Sequence, residues 1–283
     1  MIGIPPATRT IDCPLCGYEH QEPRPAAADV DRYYRETYYQ VDHRQQAAKE
    51  RRERWYWREV YKERLQQARR DSEWFENIAL DVGAGCGEFL TVAHDMGWHI
   101  AGIEPCKELW TPGVMYEQIL DIDGYKYDFI HCSLVLEHVV DPFGLLKQIR
   151  RRLAPGGVVC VVVPNERNML QEIMGRRFGY DPVCAEHINY FTQRSIRKLM
   201  ERAEFNVYDQ YNTYPMERFP LTTPLNYVKH PWTGTIAHWY RMLWEYAFYK
   251  LDVAKLRQYQ HDCYYFLAVG VGRETVVWGR AND

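Results

Sequence analysis

Long apolar runs are missing from this chain of 283 residues. Val158 to Val163, for example, covers six residues, against the ~18 that a membrane-spanning helix needs. The N-terminus, MIGIPPATRT, has no apolar stretch behind a basic start. That argues against a secretory signal and predicts a cytosolic protein. Paired cysteines are also scarce. Of eight, only Cys13 and Cys16 lie close together in sequence, so the rest read as reduced core thiols rather than a disulfide framework. Internal repeats and low-complexity tracts are absent. With 46% apolar and 26% charged residues, the composition excludes a disordered or collagen-like chain.

The charge is uneven. Residues 44–70 hold ten basic and four acidic side chains, leaving the rest of a chain of net charge −3 distinctly acidic. Aromatic residues make up 14% of the chain, and 22 of them are tyrosines. They crowd the two ends, which points to a plain central domain with unusual flanks.

Residues 29–76 read as helical. Trp57, Tyr61, Leu65 and Ala68 recur at helical spacing and share one face. From Ile78 the pattern alternates. IALDVG and WHIAGIE read as strands around the helix GEFLTVAHDMG, with Gly97 as its C-terminal cap. YDFIHCSLV is a third strand. DPFGLLKQIRRRLAPGG has Asp141 as N-cap and Pro142 at the first helical position, with Phe143, Leu146, Ile149 and Leu153 on one stripe. GVVCVVV reads as a strand buried on both faces in a parallel sheet. TQRSIRKLMERAEF is a helix capped by Thr192, and FNVYDQ and CYYFLAVGV read as two last strands. This alternation predicts a doubly wound α/β sheet. Residues 211–262, between those last strands, contain 12 aromatics and are too long for a plain loop.

DVGAGCGEF follows a strand and opens a helix. Gly83, Gly85 and Gly87 allow a tight turn with a ligand against bare backbone, and the helix start adds free N–H groups. Glu104, at the end of the next strand, can accept both hydroxyls of a ribose. G-x-G-x-G spacing with a leading Asp81 favours S-adenosylmethionine over a dinucleotide, because Asp81 can attract the cationic methionine end. Together with IAGIEP, YDFIHCSLVLEHVVDP, LAPGGVVCVVVPN and EHINYFTQRSIRKLMERAEF, this motif makes the chain resemble class I S-adenosylmethionine-dependent methyltransferases. The group concerned includes the ubiquinone-pathway O-methyltransferases and the deoxysugar C-methyltransferases. The five pieces occur in family order over residues 78–210.

The resemblance implies a mostly parallel, seven-stranded, Rossmann-like sheet with a helical N-terminal extension and a helical insert before the last strand. It implies that Asp81, Gly83, Ala84, Gly85 and Gly87 cradle the methionine moiety, that Glu104 binds the ribose, and that Pro105 adjoins it. In the compressed segment VMYEQILDID, Glu117 and Asp121 compete for the adenine amino group, with Glu117 favoured. Leu134 and His138 would flank cofactor and acceptor. In the resembling deoxysugar enzymes, a Glu-His pair placed like EHINYF takes the acceptor proton. Glu186 and His187 match it, with His187 the general base and Glu186 orienting it; His138 is the rival base. Each histidine could instead merely cap or brace a loop. The implied reaction is methyl transfer to a hydroxyl or carbon of a small-molecule acceptor. A cofactor-binding subunit without catalysis and an RNA methyltransferase are the alternatives. The absence of an N-P-P-Y or D-P-P-Y tetrad lowers amino methylation.

The flanks suggest further sites. CPLCG resembles a zinc knuckle, so Cys13 and Cys16, completed by His20 and His43, could hold zinc. No second C-x-x-C follows, whereas the sugar enzymes carry two, so a degenerate knuckle is the alternative. The basic run could meet nucleic acid, but its interspersed glutamates suit an exposed helix better. The aromatic insert could be a substrate lid, a peripheral membrane contact or a dimer surface. The expected organisation is a knuckle-like segment at 1–28, a helical cap at 29–76 and a catalytic domain at 77–283, with no indication of oligomeric state.

Overall fold

In the computed structural model, alternate side chains on each central strand point into two separate cores. The structure describes residues 9–38, 46–73, 76–110, 115–116, 124–165, 187–212 and 274–281. The central strands are β3 (Ile78–Val82), β4 (His99–Ile103), β5 (Met115–Tyr116), β6 (Tyr127–Ser133), β7 (Leu153–Pro164), β9 (Phe205–Asn212) and β10 (Glu274–Ala281). Their order across the sheet is β5-β4-β3-β6-β7-β10-β9. β5 through β7 run parallel, and β10 is antiparallel to both β7 and β9. The fold is α/β with a mostly parallel, mixed sheet. Among the described residues, no helix is long and apolar enough to cross a membrane.

One face of the sheet is covered by α2 (Gln46–Asp71) and α3 (Glu88–Asp95). Leu65 and Ala68 of α2 and Phe89 and Leu90 of α3 meet Ala79, Phe129, Val158, Cys160 and Trp278 there. The other face is covered by α4 (Pro142–Arg152) and α5 (Gln193–Arg202). Leu146, Ile149, Ile196 and Leu199 pack on Leu80, Ile130, Val159 and Val161. Period-two side-chain alternation feeds both cores. Tyr61, Leu65 and Ala68 pack on the sheet as the spacing predicts, with Trp57 stacked on Tyr61, so α2 is a layer of the domain.

Helix ends follow the local chemistry. Asp141 caps α4 through Gly144 N at 2.9 Å, ahead of Pro142. Thr192 and Ser195 form a reciprocal capping box at α5, and Gly97, at φ 79°, follows α3. A smaller three-stranded sheet joins β1 (Arg9–Cys13), β2 (Tyr18–Glu22) and β8 (Asn189–Tyr190), and α1 (Ala27–Glu36) follows β2.

The structure departs from the sequence reading in four places. Leu153 opens β7 rather than ending α4's stripe, because the helix closes at Arg152 and the chain turns directly into the sheet. GVVCVVV is buried on both faces, but its second neighbour is antiparallel. Tyr211 and Asn212 belong to β9 and not to the insert. The last described strand is ETVVWGRA, which the sequence reading passed over; CYYFLAVGV, expected as the last strand, and residues 213–262 of the insert lie outside the described residues. Trp278 in that strand is fully buried and stacks on Phe129 at 5.6 Å. Trp278→Ala should lower unfolding stability in urea by about 3–5 kcal/mol, the cost of a large cavity in a packed core. A loss below about 1 kcal/mol would mean that β10 is not held in the sheet this way.

Candidate active site

The chain crosses from β3 to β4 on one side and returns to β6 on the other, so a crevice opens at the carboxyl ends of these strands. The glycine turn lies there. Gly83 N and Ala84 N both donate to Ile103 O, each at 2.9 Å, tying β3's end to β4's end. Gly83 has φ 79°, and a Cβ on it would lie 2.3 Å from Val135 Cγ2; only glycine fits. Gly87, also left-handed, starts α3.

Glu104 closes the same turn. Gly85 N donates to its Oε2 at 2.8 Å and Cys106 N to its Oε1 at 2.9 Å. The residue is 4% exposed. A carboxylate has about four lone-pair sites, so such a group can bind several donors at once.

Behind the turn lies a buried chain of three polar side chains. His131 Nδ1 donates to Asp81 Oδ1 at 2.8 Å, and Arg64 Nη1 donates to His131 Nε2 at 2.9 Å. Arginine has no acceptor. It therefore fixes His131 as the neutral tautomer with its proton on Nδ1, aimed at Asp81. Burial, and secondarily the Arg64 charge, pushes the imidazole's pKa below its ordinary value, against the pull of Asp81. Phe89 stacks on the ring at 4.3 Å, and Tyr61 meets it edge-on at 5.7 Å. Sequence reasoning missed His131 and Arg64. The signal was present: Arg64 falls between Tyr61 and Ala68 on the buried side of α2, and His131 shares β6's inward register with Phe129.

Past β6, Leu134 adopts φ 57°, an uncommon geometry for a branched residue and one that clusters at functional sites. His138 follows and hydrogen-bonds Tyr34 of α1 through Nδ1 at 2.6 Å. His187 stands beside it, ring centroids 4.7 Å apart and planes at 79°. The two rival bases are thus one cluster, which also includes the buried Glu137. Ile188 N and Asn189 N donate to Glu137 O at 2.7 and 3.1 Å. Asn189 Nδ2 donates to Leu136 O at 2.9 Å and Val139 O at 2.7 Å. Gln21 Nε2 and Tyr190 OH both donate to His187 O, at 2.9 and 2.8 Å. Glu186, Glu117, Asp121 and His43 lie outside the described residues.

The N-terminal hairpin brings a third group together. Cys13, Cys16 and His20 offer donor atoms within 4.8 Å of one another. Gly17 N donates to Cys13 O at 2.8 Å, closing the turn. Cys16 N–H donates to Cys13 Sγ at 3.4 Å. That bond, then His20, pulls the Cys13 thiol down to about 6, while burial chiefly raises Cys16. His20 donates from Nδ1 to Gln21 O at 2.8 Å. His20 also pairs with Asn189 across β2 and β8, which seats the hairpin against the His187 segment.

Several cations of α2 are engaged within the domain. Arg54 and Arg58 reach Glu88 at 2.8 and 3.4 Å, Arg58 also reaches Asp95 at 2.6 Å, and Lys62 reaches Glu59 at 2.9 Å. Arg69 lies over the Trp98 ring. These contacts pair part of the basic run's charge with carboxylates of the same domain.

The profile of the methyltransferase-domain family matches residues 43–210. The chain is similar to a ubiquinone biosynthesis O-methyltransferase of Aeromonas salmonicida, 27% identical over 155 residues, which are 48% of this chain and 65% of that protein. Its similarity to the same-named protein of Idiomarina loihiensis is 26% over 129 residues, 40% of this chain and 50% of that one. The chain therefore spans between half and two thirds of the length of these relatives. Among solved structures, it is similar to an S-adenosylmethionine-dependent methyltransferase of Archaeoglobus fulgidus, with 16% identity, TM-score 0.48, and 78% and 93% of the two chains covered. A putative sarcosine dimethylglycine methyltransferase of Galdieria sulphuraria is similar at 13% identity and TM-score 0.48, covering 80% and 85%.

The buried histidine gives a pH prediction. His131 resists protonation in the folded state, whereas in the unfolded chain it takes a proton near pH 6.5. The unfolded state then binds more protons, so stability falls as pH drops below about 6.5, by up to ~1.4 kcal/mol per pH unit, until the folded-state value is reached. Above pH 6.5 the contribution is complete. Subtracting the His131→Gln pH profile of urea unfolding from the wild-type profile should isolate this slope; parallel profiles would show that His131 is not held neutral.

Proposed function

The chain belongs to the class I S-adenosylmethionine-dependent methyltransferase family, and on that premise we propose that it methylates a small-molecule acceptor at a hydroxyl or carbon. The observation that carries the reading is the His138–His187 pair, held at the same strand edge as the glycine turn and Glu104. Bound there, the cofactor supplies a methyl group on a cationic sulfur, which keeps the carbon–sulfur electron pair as the acceptor's lone pair takes the carbon.

In this reading Glu104 accepts the ribose hydroxyls. The backbone of Gly83, Ala84, Gly85 and Gly87 lies along the methionine moiety. Asp81, oriented by His131, faces its cationic end. Pro105 and Leu134 border the same crevice, and Glu117 serves the adenine. The fit is supported by the position of the Glu104 carboxylate, which Gly85 N and Cys106 N fix beside the turn, and by the lack of room for a side chain at Gly83. His187 takes the acceptor's proton as general base, Glu186 orients it, and His138, braced by Tyr34, lines the acceptor side. The relatives named for O-methyl transfer in ubiquinone biosynthesis favour oxygen over carbon. Structural zinc at Cys13, Cys16 and His20, with His43 as fourth ligand, is part of the proposal. Its support is the convergence of the three donors and the Nδ1 bond of His20, which leaves Nε2 for a metal.

Calorimetric titration tests the cofactor half. Glu104→Gln should weaken S-adenosylmethionine binding roughly 10–100-fold, the worth of one charge-assisted hydrogen bond. Unchanged affinity, or a preference for NAD, would refute it. Screening acceptors with labelled cofactor tests the other half: His187→Ala should cut turnover by about 10²–10⁴-fold with cofactor affinity intact. Near-normal turnover in His187→Ala alongside a loss in His138→Ala would transfer the role of base.

A further inference from the structure

A cleft of about 670 Å³ opens between the N-terminal hairpin and α5. Its walls include Asp12 and Glu19 of the hairpin, Tyr190 of β8, and Arg194, Ser195 and Lys198 of α5. A volume of that order suits a small molecule, and the two walls carry opposite charge. We propose that this cleft binds a small zwitterion: an amino acid whose ammonium and carboxylate groups stand at opposite ends of a short methylene chain.

The acidic wall follows from strand register. Asp12 pairs with Glu19 across β1 and β2, and Glu19 pairs with Tyr190 across β2 and β8. Directly opposed residues point to the same face of a sheet, so the three form one row across the small sheet. Thr10, two residues before Asp12 and on the same face, donates its hydroxyl to Glu19 Oε1. The basic wall follows from helix spacing: Arg194 and Lys198 stand four apart in α5 and share one side of it. Contacts that involve none of these charges hold the walls in place. β2 pairs with β8, Arg202 Nη1 donates to Cys16 O at 2.7 Å, and Tyr18 packs on Phe191 with ring centroids 5.1 Å apart.

Each wall sets like beside like. Carboxylates directly opposed across two strands repel, and so do cations at i,i+4 on a helix. Ion pairs across the cleft would relieve both, yet among the described residues neither Arg194 nor Lys198 pairs with a carboxylate. A lone cation would satisfy only the hairpin wall, and a lone anion only the helix wall. A zwitterion satisfies both at once. Its ammonium brings three N–H donors to Asp12 and Glu19, and its carboxylate accepts from the guanidinium and the lysine ammonium. Because the walls stand farther apart than an ion pair, its two charges must be separated by methylenes. None of these residues belongs to the glycine turn or to the histidine pair. The zwitterion is therefore a second ligand, bound whether or not the chain transfers methyl groups.

Glycine, β-alanine, γ-aminobutyrate and ε-aminocaproate are the probes, since they differ only in the separation of their charges. Each is titrated into the full ¹⁵N-labelled chain, without cofactor, and followed by backbone amide shifts. At least one of the longer members should give saturable shifts at Asp12, Gly17, Glu19, Tyr190 and Ser195, and bind more tightly than glycine. Removing either charge from that member, to leave the plain amine or the plain carboxylate, should weaken binding roughly 10–100-fold, the worth of one charge-assisted contact. Asp12→Asn, and Arg194→Gln with Lys198→Gln, should each weaken it about 10-fold or more. An amide spectrum unchanged away from the cleft shows that these variants fold; if one does not, the amine and carboxylate comparison on wild type decides. No saturation by any member below roughly 10 mM overturns the proposal. So does a plain amine or carboxylate that binds as tightly as the amino acid, or folded variants that keep full affinity.

Discussion

Everything at the cleft depends on how a buried acid is held. Asp81 sits at the end of β3, 4% exposed, where an ionised carboxylate is costly without partners. It receives a proton-bearing nitrogen from His131, and Arg64 in turn secures that tautomer by filling the opposite nitrogen. The chain runs from α2 through β6 to β3. An N-terminal helix outside the glycine motif therefore sets the orientation of the acid inside it. This explains why α2 packs as a full layer against the sheet, with Leu65 and Ala68 completely buried beside Arg64.

The second constraint is backbone knitting on the acceptor side. The turn after β6 and the segment before α5 are far apart in sequence, yet the Glu137 carbonyl and the Asn189 amide bind them as tightly as adjacent strands. The N-terminal hairpin adds a third piece through β2–β8 pairing and the Gln21 side chain. Hydrogen bonds of this kind stabilise modestly one by one but are costly to lose when buried. Their collective effect is positional: two imidazoles and a carboxylate converge without belonging to one element.

Local chemistry explains what could be read in advance. Gly83, Gly85 and Gly87 announce a tight turn; Asp141 and Thr192 announce helix starts; and Val158 to Val163 announces a strand buried on both faces. Each signal depends on neighbours within a few residues. ETVVWGRA is the less conspicuous strand signal because the preceding CYYFLAVGV is the more apolar run. Leu153 was placed on a helix because helical and strand periodicities overlap where α4 passes directly into β7. His131 and Arg64 escaped notice because a histidine in a strand and an arginine in a basic helix are ordinary; only their meeting at 2.9 Å gives them a role.

The sequence by itself determined the α/β alternation, the glycine turn with Glu104 at the end of the next strand, the helix caps and the C-x-x-C turn, since all are written in spacings shorter than one supersecondary unit. Tertiary structure alone decided that His138 and His187 lie side by side, that Glu137 joins them, and that the hairpin bearing Cys13 and His20 lies against the His187 segment. Those contacts join residues separated by tens to more than a hundred positions. They depend on the order in which strands enter the sheet and on which loops that order brings to one edge, and no local pattern carries that information.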